Sequence, residues 1–322
     1  MPDIYMHQKS SEALLKYFNA TFHDPHQRRA FILGVQGPDP LYYRLGGRSE
    51  SAMAMGNALH NDHVGQSLVH MARKIKADRD AQTHAFFAGY LAHYALDAAV
   101  HPYVYSHTGL YDPADGSTHR MRGLHMRFER RMDAAWIEKG EAVKPWRYPL
   151  FKRAMPYTTV PPVITELIDS ALQTVHGIKG GAQQFSKGYV SMRRVIRYGI
   201  QDATGVKRTL YRVMDWFNRR RDIFLVDLSF YHAKTTDYDY LNVQRRAWVH
   251  PVCATVSTQS VATLYNEGLK NAKRMIETFN RYLNDEITLS DDAFGNRSLN
   301  TGKPADDPRV MQHFNLYTEQ KD

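Results

Sequence analysis

Cysteine is nearly missing from this chain. Cys253 is the only one in 322 residues, which excludes a disulfide framework and any metal site built on several thiolates. Its expected place is a packed core position. Long apolar runs are missing too. No stretch approaches the roughly eighteen apolar residues that a membrane-crossing helix needs, and the nearest, 85–100, is interrupted by His93 and Asp97. The N-terminus, MPDIYMHQKSSEALLKYF, lacks a basic segment followed by an apolar one, so no secretory signal is expected and the expected location is the cytoplasm. Strand signals are scarce, and there is no internal repeat. No GxSxG motif is present, so a conventional serine hydrolase is not expected, and the lone thiol gives little support for a cysteine hydrolase.

A core is well provided for. Hydrophobic residues make up 43% of the chain and aromatic residues 12%, which excludes a disordered chain. The net charge of +9 favours anionic partners without naming one. Helical periodicity or composition marks segments at 8–20, 52–77, 80–105, 119–139, 163–175, 182–200, 205–220 and 256–286. Residues 23–29 are expected to be a polar connector. Dense Gly and Pro in AFILGVQGPDPLYY end the helix there, and Pro40 biases Asp39 toward an extended, non-helical turn. The fold class is therefore all-α, with a catalytic-looking unit at 1–150 and a helical region at 151–322 ending in a loosely ordered tail at 290–309.

Histidine is where the chain is rich. Twelve of its 16 histidines precede residue 126; the others are His176, His232, His250 and His313. In GYLAHYALDAAVHPY, residues 89–103, His93, Asp97 and His101 recur every four residues and share one face of a helix. His125 and Glu129 repeat that spacing in GLHMRFERRMDAAW. Buried ionisable groups are costly unless paired, hydrogen-bonded or bound to metal. A histidine with a carboxylate or second histidine one turn on is a natural clamp for zinc. Each taken alone also fits a hydrogen-bonded core residue or an ordinary surface pair.

The stretches MPDIYMHQ, FILGVQGPDPLYY, GNALH, GYLAHYALDAAVHPY and LHMRFE, in that order, resemble the bacterial zinc-dependent phospholipase C family. More distantly, they resemble the P1/S1-type zinc nucleases. The likeness is strong over 1–140 and weaker at DYLNVQRRAWVHP. It implies a multi-helix bundle and Zn2+, two to three ions. Asp39 matches a zinc ligand that is also the catalytic base. His60, His93 and Asp97 match the remaining ligands of that zinc, and His101, His125 and Glu129 those of a second. His7 matches the ligand of a third, to which Asp97 bridges. Two departures stand out. Secreted members use a processed N-terminal tryptophan where this chain begins Met-Pro, and their spacing from Asp97 to His101 is longer. His63, His107 and His119 are spare candidates.

The implied activity is phosphoric ester hydrolysis of phospholipase C type by metal-activated water, on a phospholipid or another phosphodiester. A nuclease acting on single-stranded nucleic acid, or a non-catalytic metal-binding regulator, are the alternatives. No obligate protein partner is evident. Residues 193–221 hold nine basic and two acidic residues with aromatics interleaved. The favoured expectation there is a helix with a solvated basic face and an aromatic core face; a nucleic-acid or membrane contact is the alternative.

Overall fold

The computed structural model describes residues 3–44, 49–217, 224–228, 230–231 and 238–317. Met1, Pro2 and Arg219 to Arg221 lie outside them. Among the described residues the protein is all-α. The helices are α1 (Ile4–Tyr17), α2 (Pro25–Gly34), α3 (Ser49–Asn61), α4 (Val64–Asp78), α5 (Ala81–Thr108), α6 (His119–Gly140), α7 (Leu150–Ala154), α8 (Pro162–His176), α9 (Gly181–Arg194), α10 (Val206–Trp216) and α11 (Val261–Leu283). Extended structure amounts to two pairs of two-residue strands, one parallel and one antiparallel.

α5 is the axis of the molecule. Asp80 caps it by accepting a hydrogen bond from the Thr83 amide at 2.8 Å, as an N-cap carboxylate should. From Phe86 to Asp97 every residue is buried, so the helix is walled by protein. α2 covers one flank at backbone contact. A Cβ on Gly34 would sit 2.0 Å from the Phe86 carbonyl oxygen, and one on Gly89 would sit 2.3 Å from that of Phe31. α11 covers another flank, offering Val261, Leu264, Tyr265, Gly268, Ala272, Ile276 and Phe279 at helical spacing.

Several boundaries differ from expectation. The segment 23–29 is no connector: α2 begins at Pro25, because Asp24 accepts from the amides of His26 and Gln27 and proline suits the first helical turn. The expected helix 52–77 is two helices, broken where His63 takes φ 46°. Asp39 does not lie in an extended segment. It opens a 3-10 turn, Asp39–Tyr43, whose second residue is Pro40, where a missing amide hydrogen does no harm. Cys253 is half-exposed, with its Sγ 3.1 Å from the Thr255 hydroxyl; it is not a core thiol. α10 ends at Trp216 and its apolar side chains face outward, against the expectation of an aromatic core face.

The tail 290–309 has little regular structure, yet Phe294 and Leu299 are buried. The chain reaches α5 at Pro102, whose ring removes the amide that would otherwise bond the Ala98 carbonyl. Gly302, at φ +63°, lies there so closely that a Cβ would fall 2.3 Å from that oxygen.

Candidate metal centre

The eight residues singled out above come from five elements and meet at one place. His7 stands on α1, Asp39 on the 3-10 turn and His60 at the end of α3. His93, Asp97 and His101 stand on α5, and His125 and Glu129 on α6. Seven of them form two groups. Asp39, His60, His93 and Asp97 are all buried; His101, His125 and Glu129 adjoin them. Within each group the ligand-type atoms lie within 4.8 Å of one another.

Asp97 is the hub. Its Oδ1 lies 3.2 Å from His7 Nε2. Its Oδ2 lies 3.1 Å from His93 Nε2 and 3.8 Å from His60 Nε2. Asp39 Oδ1 lies 3.5 Å from His60 Nε2 and 3.6 Å from His93 Nε2. In the second group Glu129 Oε1 is 2.9 Å from His125 Nε2 and 3.5 Å from His101 Nε2. His7 belongs to neither group, but its ring stacks on that of His93 with centroids 4.4 Å apart.

The outward ring nitrogens are held by acceptors. His60 Nδ1 faces the Gly56 carbonyl at 2.8 Å, His93 Nδ1 that of Val35 at 3.2 Å, and His101 Nδ1 that of Leu299 at 2.6 Å. His125 Nδ1 lies 3.3 Å from the Thr108 hydroxyl. Donation from Nδ1 to a carbonyl leaves the Nε2 lone pair facing inward, the tautomer that a metal ligand needs.

α1 is held at its N-terminus by α6. Asp133 accepts from the amides of Tyr5 at 2.7 Å and Met6 at 3.2 Å, while Arg130 pairs with Asp3 at 2.6 Å. These contacts fix the helix that presents His7. Gly37 makes room for His93: its φ is +51°, and a Cβ there would lie 2.2 Å from the imidazole Cδ2.

The electrostatics call for a cation. Burial pushes the imidazoles of His7 and His60 down to about 4, so both are neutral at pH 7. Burial raises Asp39 well above the usual carboxylate range. Asp97 feels the same burial, but His93 and His7 beside it outweigh that and hold its carboxyl below the usual range. Two carboxyls in one dry box cannot both ionise without a compensating positive charge. The orphaned atoms agree: Asp39 Oδ1, His60 Nε2, His93 Nε2, both Asp97 oxygens and His101 Nε2 are buried without an aligned hydrogen-bond partner. Nitrogen and oxygen donors in this mixture fit zinc.

His63, His107 and His119 stay outside the centre. His63 faces His176, His107 packs between Tyr103 and Phe128, and His119 lies against Tyr111. Tyr42, whose hydroxyl is 3.2 Å from His60 Nδ1, escaped notice in the sequence. So did the carbonyls of Val35, Gly56 and Leu299, which any residue type could supply. Thr108, the last residue of α5, and Tyr42 are the partners that a side chain could have signalled.

Among the described residues no helix is long and apolar enough to cross a membrane. No curated protein and no solved structure matches the chain. A family model, described as zinc dependent phospholipase C, matches residues 6–191.

Proposed function

The chain belongs to the zinc-dependent phospholipase C family, and from that premise we propose that it hydrolyses a phosphodiester, with phospholipid as the substrate class and zinc as the resident metal. His7, Asp39, His60, His93, Asp97, His101, His125 and Glu129 are the residues that hold the metal. Zinc bound there supplies Lewis acidity toward phosphoryl oxygens and lowers the pKa of water to about 7. The observation that carries this reading is the position of Asp97, with one oxygen toward His7 and the other toward His60 and His93.

The chain's own groups have distinct tasks. The carbonyls of Gly56, Val35 and Leu299 fix the inward lone pairs of His60, His93 and His101. Asp39 Oδ1 is buried and faces His60 and His93, where its carboxylate would orient the attacking water and take its proton. His125, with 17% of its side chain exposed, marks the side open to substrate. Water attacks phosphorus as Asp39 takes its proton, the bond from phosphorus to the leaving alkoxide oxygen breaks, and the alkoxide takes up that proton.

Elemental analysis of the purified, chelator-free protein is the first test, with about two to three zinc ions per chain expected. Release of phosphocholine from dihexanoyl phosphatidylcholine should follow. Cleavage of a single-stranded oligonucleotide instead would favour the nuclease. Bound zinc with no turnover on either would favour a regulator. A protein that takes up no zinc on reconstitution would leave a buried hydrogen-bond network and remove the hydrolase reading.

A further inference from the structure

Half of the large apolar side chains that are exposed among the described residues fall between 198 and 217. On α10 and its C-terminal cap, Val206, Leu210, Val213 and Phe217 follow one another at intervals of four, three and four residues, and so form a single stripe. Met214 and Trp216 flank it. Trp216 is 81% exposed, Phe217 69% and Val206 68%. Isolated exposed apolar residues are ordinary, but a continuous rimmed patch marks an interaction surface.

The rim is cationic. Arg212 is exposed on α10, Arg194 at the end of α9 and Arg197 on the turn that follows it. That turn abuts α10, because the Tyr211 hydroxyl donates to the Gly199 carbonyl at 3.0 Å and Lys207 Nζ to that of Tyr198 at 2.6 Å. Tyr198 itself is exposed. The two acidic residues of this stretch are turned inward. Asp202 accepts from the amides of Gly205 and Arg208. Asp215 accepts from those of Leu225 and Val226. Burying both carboxylates leaves the outer face apolar and positive.

We propose that α10 and the turn before it dock the protein on an anionic phospholipid surface. This rests on the phospholipid reading above. A short helix with an apolar stripe, an aromatic pair at one end and arginines at the rim suits the boundary between headgroups and acyl chains; tryptophan is enriched at that depth. A protein partner would need no such charge, whereas anionic headgroups attract each basic residue near them. The surface is also tied to the metal-bearing helix. Asp215 holds the 3-10 turn Leu225–Leu228, and Asp227 of that turn pairs with Arg120 at 2.8 Å and lies 4.0 Å from Arg127 on α6. α6 carries His125 and Glu129.

The test is sedimentation of the full chain with phosphatidylcholine vesicles, with and without phosphatidylglycerol. Wild type should bind the anionic vesicles more tightly, and less so as salt rises. The double variant W216S/F217S should bind about tenfold more weakly, and Arg212→Glu should lose less while flattening the salt dependence. Both variants should hydrolyse monomeric dihexanoyl phosphatidylcholine like wild type. Equal vesicle affinity for wild type and W216S/F217S would overturn the proposal. So would a concentration-dependent dimer abolished by W216S/F217S, or binding to a single-stranded oligonucleotide but to neither vesicle. Vesicle binding as expected, without hydrolysis of the monomeric lipid by any form, would instead strike the phospholipid reading of the metal centre.

Discussion

The two ligand groups are built differently. The first takes Asp39, His60, His93 and Asp97 from three elements and buries all four. The second takes His101, His125 and Glu129 from α5 and α6, and His125 is partly open to solvent. A closed set of donors makes metal binding part of folding, while an open set leaves room for exchange and substrate. Asp97 and His101, one turn apart on α5 with 3.9 Å between Oδ2 and Nδ1, join the two. The inner group is thus expected to govern assembly and the outer group access.

The largest test of that division is Asp97→Asn. Removing the hub should lose about one zinc or more per chain by elemental analysis, whereas His7→Ala should lose less. Equal zinc content in the two variants would end the bridging role. Gly37→Ala comes next. Its methyl group would strike the His93 ring and its φ of +51° disfavours alanine, so denaturant unfolding should show a loss of about 3 kcal/mol together with lost zinc. Destabilisation with zinc retained would make His93 a packing residue only.

The third test uses chelator-treated protein. His60 titrates near 6.5 when unfolded and about 4 when folded. Above 6.5 both states are neutral and pH has no effect through this group. Between 6.5 and 4 the unfolded state binds the proton first, so folding weakens as pH falls. Below 4 the penalty is constant, at about 3 kcal/mol. Wild type should therefore lose that much relative to His60→Gln across this window, read by denaturant midpoints at each pH. Parallel curves would show that the imidazole is not held neutral by burial.

The smallest expected effect belongs to the outer group. Thr108→Val removes the hydroxyl 3.3 Å from His125 Nδ1 and should weaken one zinc about tenfold in competition with a chelator. The inner ion should be unmoved. A matching loss from both would dissolve the distinction between the groups.

The sequence showed the candidate ligand set clearly because histidine and carboxylate spacing is written in side chains. GPD, HYxxDxxxHPY and HxxxE carry their chemistry on their faces, and the apolar run around them implied burial. What supports the ligands was less visible. A carbonyl acceptor such as Val35 or Leu299 leaves no mark in residue type. The break at His63 was missed because neither Gly nor Pro stands at 61–63, although Asn, Asp and His tolerate a left-handed turn. The outward face of α10 was misjudged for a related reason: periodicity finds a stripe but not the side it faces.

The buried Leu299 of the tail bears on how the protein is made. The carbonyl that fixes His101 lies 198 residues beyond it, and the amide of the same residue donates to the His60 carbonyl at 2.8 Å. A ribosome thus releases all eight candidate ligands long before the segment that sets two of them. Until residue 299 has emerged, His60 and His101 lack their final tie, and the centre cannot reach its finished geometry.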